Sequence, residues 1–163
     1  MKTTLHKTKN DLPEKARAQL VELLNSRLAT AIDLQYQAKQ AHWNVKGPQF
    51  IALHELVDKV TEMAEGAVDE IAERAVQLGG VARGTVRIAA KESSLPEYPL
   101  TATSGTEHVE ALSTAIAAFG TQMRGAITIA DELGDAGTAD LFTALSQDAD
   151  KQLWFVEAHL QTK

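Results

Sequence analysis

The chain contains no cysteine. That absence excludes disulfide scaffolds, thiolate zinc modules, iron–sulfur clusters and thiol nucleophiles together, and leaves any metal chemistry to histidine and carboxylate. Aromatic residues make up only 5%, too few for a platform on which single-stranded nucleic acid stacks. Basic residues number 16 against 22 acidic ones, for a net charge of −6, so any DNA contact would be local rather than spread over a basic face. No segment approaches the roughly 18 consecutive apolar residues of a membrane helix, and Met1 to Lys7 lacks the apolar run of a secretory leader. A cytoplasmic protein with no membrane contact is expected.

What is present is helical periodicity. The 163 residues suffice for one domain, and four prolines, at 13, 48, 96 and 99, combine with the glycines to cut the chain into four long amphipathic stretches. The first opens at Asn10-Asp11-Leu12-Pro13-Glu14, with Asp11 able to cap and Pro13 tolerated in the first turn, and turns Leu20, Leu24, Leu28 and Ala31 inward until Gly47-Pro48. The second carries Leu53, Val57, Val60, Ala64, Ala67, Ile71, Ala75 and Leu78 at steps of three or four and stops at Gly79-Gly80. A connector follows, with a short helix over 82–91 and then a loop. Ser104 and Glu107 form a capping-box pattern ahead of Val109, Leu112, Ile116, Phe119, Met123, Ala126, Ala130 and Leu133, a helix ended by Gly134. The last stretch aligns Leu141, Leu145, Ala149, Leu153, Val156 and Leu160 and runs nearly to Lys163. This predicts an all-α four-helix bundle with one crossover connection and a short extra helix between the second and third helices, over residues 11–163, preceded by a flexible tail over residues 1–10.

The second helix bears another stripe: His54, Asp58, Glu62, Glu65, Asp69 and Glu73, all on one face and without a lysine or arginine among them. A solvated face is one reading. Like charges four apart cost a helix about 0.2–0.5 kcal/mol each, however, and carboxylates accompanied by imidazole are what a hard or borderline cation requires. His42 adds to the stripe, because the short Gly47-Pro48 turn brings the end of the first helix close to His54. Asp69 and Glu73 make a carboxylate pair at the far end of the second helix. His54 and Asp69 are 15 residues apart, or roughly 22 Å along a helix, so one chain cannot use both ends in one metal site. Two copies packed antiparallel about a two-fold axis would join them and create two shared sites. None of the residues three before a histidine, namely Thr3, Lys39, Ile51, Gly105 and Val156, is acidic. The Glu-x-x-His pattern of di-iron sites inside a bundle is therefore missing.

The segments Gln40-Ala41-His42-Trp43-Asn44-Val45-Lys46-Gly47, His54-Glu55 and Asp69 through Gly80 strongly resemble the Dps family, ferritin-like mini-ferritins that protect bacterial DNA. Tyr98-Pro99-Leu100, Thr138-Ala139-Asp140 and Asp150 through Phe155 extend the resemblance over nearly the whole chain. It implies a ferritin-like bundle assembled as a hollow dodecamer, a homo-oligomer with ferroxidase centres at two-fold interfaces. These would oxidise Fe(II), preferably with hydrogen peroxide, and store Fe(III) mineral inside. By position, His42, His54 and Asp58 would be metal ligands from one subunit and Asp69 and Glu73 from its partner, with zinc possible as a substitute for iron.

Trp43, and Trp154 with it, would quench stray oxidising equivalents; the alternative is a buried aromatic filling the bundle end. Asp131, Asp135 and Asp140 are the candidates for an acidic iron-entry pore, with helix capping the alternative for Asp135. DNA contact would run through Lys2, Lys7 and Lys9 of the tail, which could equally be a solubilising extension. The competing readings are a nucleoid-associated DNA-binding protein with vestigial iron chemistry and a structural bundle whose acidic stripe faces solvent.

Overall fold

A computed structural model describes residues 4–161. Five helices follow in order: α1 (Glu14–Asn44), α2 (Phe50–Gln77), α3 (Val86–Glu92), α4 (Gly105–Glu132) and α5 (Ala136–Glu157). α1 packs on α2 and α4 on α5, and α1–α4 and α2–α5 contacts join the two hairpins into the expected bundle. Cross-links between chain-distant residues give the directions. The end of α2 meets the start of α5 through Arg74 and Thr138, 2.9 Å apart, and α1 meets α4 midway through Thr30 and Gln122. Residues 78–104 form the crossover, with α3 lying on α1.

The inward positions of the first three long helices match the three-four spacing, from Leu20, Leu24 and Leu28 through Val60, Ile71, Ile116 and Phe119. In α5 the buried stripe is rotated. Ala139, Phe142, Leu145, Ala149 and Val156 are buried, whereas Leu141 and Leu153 are only partly so. α5 also stops at Glu157 instead of running nearly to Lys163.

Two turns explain the ends of the bundle. Gly79 holds φ +86°, a left-handed conformation that costs other residues roughly 1–2 kcal/mol, and a Cβ on it would lie 2.7 Å from the His6 carbonyl oxygen. Asn25, fully buried in α1, donates to the Val81 carbonyl and accepts from the Arg83 amide, tying the crossover down. The capping box of α4 forms as expected, with Ser104 Oγ accepting from the Glu107 amide and the Glu107 carboxylate accepting from the Ser104 amide.

One N-terminal expectation is corrected. Asp11 does not cap α1; Pro13 occupies the N-cap position and no side chain caps the helix. Within the described residues 4–10, part of the segment touches the bundle. The His6 amide donates to the Gly79 carbonyl at 2.7 Å, and Leu5 and Leu12 pack against the core. Arg17 reinforces the same corner, donating to the carbonyls of Leu12 and Leu78.

Candidate metal centre

His42 and His54 meet across the α1–α2 turn. Their rings stack with centroids 3.6 Å apart, and the bonding is reciprocal. His42 Nδ1 lies 3.1 Å from the His54 carbonyl oxygen, and His54 Nδ1 lies 3.0 Å from that of His42. A carbonyl can only accept, so each Nδ1 is the donor, and Nε2 of each ring is the atom left to bind a metal. Two backbone carbonyls thus select one tautomer for both rings.

Asp58 completes this end of the site. Its Oδ1 lies 3.2 Å from His42 Nδ1 and 2.7 Å from Lys39 Nζ. The Lys39 hydrogen bond, opposed by slight burial and aided by His42, Lys39 and His54, holds the Asp58 carboxyl below its ordinary pKa. The carboxylate is therefore ionised at neutral pH and ready to bind a cation. Lys39 is the residue that sequence reasoning missed. The acidic stripe has no lysine of its own, but Lys39-x-x-His42 places an ammonium on the same face of α1 as the histidine, and that i, i+3 spacing was the available signal.

Asp69 and Glu73 stand exposed farther along α2, with no hydrogen bond or ion pair among the described residues. α2 runs unbroken from His54 past Glu73, so the two groups of candidate residues remain at opposite parts of one helix. Glu62 and Glu65 lie exposed between them. Among the described residues, no three histidine or carboxylate groups within one chain stand arranged to hold a metal ion.

Trp43 is 65% exposed and Trp154 is 64% exposed, so neither fills the bundle end as a buried aromatic. The inward positions around Trp43 are taken by Ala41 and Val45, which turns the indole outward. Asp135 is buried and caps α5, accepting from the Thr138 amide. It also takes both oxygens to Arg74 Nη2, at 2.8 and 3.0 Å. Burial pushes its pKa up, but the bonds from Thr138 and Arg74 outweigh that and leave it lowered. Asp131 and Asp140 are exposed on either side of this cap. Lys7 and Lys9 are exposed on the docked segment, while Lys2 lies outside the described residues. No helix among the described residues is long and apolar enough to cross a membrane.

Comparison with known proteins converges on one family. A ferritin-like domain matches residues 21–163. The DNA protection during starvation protein of Agrobacterium fabrum is 48% identical over 163 residues, covering 100% of this chain and 99% of that one. The protein of the same description from Mycolicibacterium smegmatis is 33% identical over 93% of this chain and 82% of its own. Among solved structures, DpsA14 from Streptomyces coelicolor superposes with a TM-score of 0.93 at 33% identity, covering 99% of this chain and 96% of that one. Mycobacterium smegmatis Dps gives 0.91 at 32%, covering 98% and 96%. With its all-helical bundle, its paired histidines beside a carboxylate and full-length similarity to these relatives, the chain belongs to the Dps family of ferritin-like proteins.

Proposed function

We propose that this protein is a ferroxidase and iron store. It oxidises Fe(II), with hydrogen peroxide as the preferred oxidant, at centres shared across the two-fold interfaces of a hollow dodecamer, and it holds the Fe(III) product as mineral, protecting DNA. The observation that carries the reading is the reciprocal His42–His54 pair, whose backbone bonds engage both Nδ1 atoms and leave both Nε2 atoms free of them, with the ionised Asp58 against the Nδ1 edge of His42. Imidazole and carboxylate together suit iron. Asp69 and Glu73 of a second copy supply the remaining ligands, because the copies' α2 helices run antiparallel at a two-fold interface.

The chemistry follows from bringing Fe(II) together in pairs. Two Fe(II) give two electrons to one peroxide, which with two protons becomes two waters, so no hydroxyl radical is released. Zinc binds the same ligands without redox chemistry and serves as an inert substitute. Asp131 and Asp140 line the route of iron entry, with Asp135 and Arg74 bracing the turn between them. Trp43, exposed beside His42, intercepts stray oxidising equivalents.

DNA contact runs through Lys2, Lys7 and Lys9, with the docked His6 backbone shortening the reach of the two lysines that follow it. Protection by removal of iron and peroxide does not need that contact. The test is anaerobic Fe(II) loading followed by a peroxide pulse, comparing the parent with His42→Ala and Asp69→Ala. Both variants are expected to lose more than about 100-fold in oxidation rate, beyond the 10–100-fold that loss of a supporting residue alone brings. Parent-like rates in both would refute the ligand assignment.

A further inference from the structure

Tyr98 lies in the crossover and His108 near the start of α4, and both are buried, at 8% and 2% exposure. Tyr98 Oη and His108 Nδ1 are 2.5 Å apart. Burial pushes the Tyr98 phenol up to about 12. Burial also lowers the His108 pKa, against the Asn44 backbone and the Glu107 charge, which favour its protonated form. Both groups are therefore neutral at rest. Tyr98 donates its O–H to Nδ1, and the ring hydrogen sits on Nε2. That nitrogen is buried, near the Asn44 backbone but without a hydrogen bond of full geometry.

We propose that Tyr98 and His108 form an internal electron-donor pair, in which Tyr98 yields one electron to a strong one-electron oxidant and passes its phenolic proton to His108 Nδ1. The step balances. The phenol O–H bond breaks and an N–H bond forms, leaving a neutral tyrosyl radical and an imidazolium. The oxidant gains the electron; a hydroxyl radical would become hydroxide. A buried phenol has little water to receive its proton, and the 2.5 Å bond supplies the acceptor in place. The imidazolium is in turn favoured by the Asn44 backbone and by Glu107.

The location gives the pair its use. Asn44 ends α1 beside Trp43 and two residues after His42, and Tyr98 borders an open cleft with Gln37, Glu97 and Glu107. An oxidising equivalent that escapes the peroxide chemistry proposed above would find in Tyr98 a buried donor within the same subunit. In that use the inference rests on the ferroxidase reading, whereas the donor pair itself can be tested without iron.

The chain has two tyrosines, Tyr36 and Tyr98, and Tyr36, at 53% exposure, is the internal control. The assembled, iron-free protein is exposed to radiolytic azidyl radicals, and the tyrosyl radical is followed by transient absorption and trapped for electron paramagnetic resonance. Because exposed Tyr36 is open to direct attack by azidyl, the signal is expected in the parent and in Tyr36→Phe, and to be lost when Tyr98→Phe is added to Tyr36→Phe. His108→Gln should slow its formation on the order of 10²-fold, the usual worth of a positioned base, and deuterated solvent should slow the parent severalfold. A signal that follows Tyr36, or a Tyr98 radical insensitive to both His108→Gln and deuterium, would overturn the proposal. If His108→Gln fails to fold, the solvent isotope effect in the parent decides. Because the oxidant is radiolytic, failure of the iron chemistry leaves this result unaffected.

Discussion

The two ends of α2 both carry candidate metal-binding side chains but are prepared in different ways. At the start, His54 is locked to His42 by stacking and reciprocal backbone bonds, and Asp58 is held by Lys39. Toward the end, Asp69 and Glu73 point into solvent unpartnered among the described residues, and it is the neighbouring Arg74 that is anchored. The first end is oriented by its own chain. The second is a stretch of unbroken helix that offers two exposed carboxylates to solvent.

Breaking the Arg74 anchor at the second end should have the largest structural effect. Arg74→Met leaves the buried Asp135 carboxylate without its cation, and breaking such a pair costs about 3–5 kcal/mol; Arg74 is itself partly exposed, so the lower figure is expected. Chemical denaturation would show it. The loss should also depend on pH. Asp135 has a lowered pKa when folded, so its contribution is fully present above the ordinary carboxylate pKa of about 3.9. It disappears as the pH falls through the lowered value. A pH-independent difference between parent and variant would assign the loss to packing alone.

A smaller effect is expected at the N-terminal strap, which docks at the same end of α2. Gly79→Ala forces a Cβ into a left-handed residue and against the His6 carbonyl, costing about 1–2 kcal/mol. Amide exchange at His6 should rise sharply while exchange in the α1 core stays slow. If His6 remains protected, the docked strap is held by Leu5 and Leu12 rather than by the glycine turn.

The smallest change in stability belongs to Lys39→Met at the histidine end. The Lys39–Asp58 pair is partly exposed and is worth about 0.2–1 kcal/mol. Its removal should nevertheless tighten Zn(II) binding severalfold, because the metal no longer competes with an ammonium for Asp58. Unchanged zinc affinity by calorimetry would mean that Lys39 leaves the site freely when a cation enters.

Much of this was legible in the sequence because helix periodicity exposes which residues share a face. The α2 core stripe, the Gly79 stop and the Ser104–Glu107 box depend only on local spacing and stand where expected. The His42–His54 encounter was also readable, since a short turn between long helices leaves little freedom. Lys39, the Arg74–Asp135 pair and the docked His6 were harder to see, for one physical reason. Each joins residues distant along the chain, 19 apart for Lys39 and Asp58 and 61 apart for Arg74 and Asp135. Their partners are set by packing angle rather than by sequence interval. The rotated α5 stripe has a similar origin, because Phe142 adjoins Leu141 and only the neighbouring helices decide which of the two turns inward.

The contrast between the two ends of α2 leads to one decisive measurement: ferroxidation by a co-assembled equal mixture of His42→Ala and Asp69→Ala chains, each inactive alone. At a two-fold interface between unlike variants, one site carries both lesions and the other carries none. Random pairing makes half the interfaces mixed, so the account predicts recovery to about a quarter of the parent rate. Rates no higher than those of the separate variants, in a mixture shown to have exchanged subunits, would contradict a centre built from two chains.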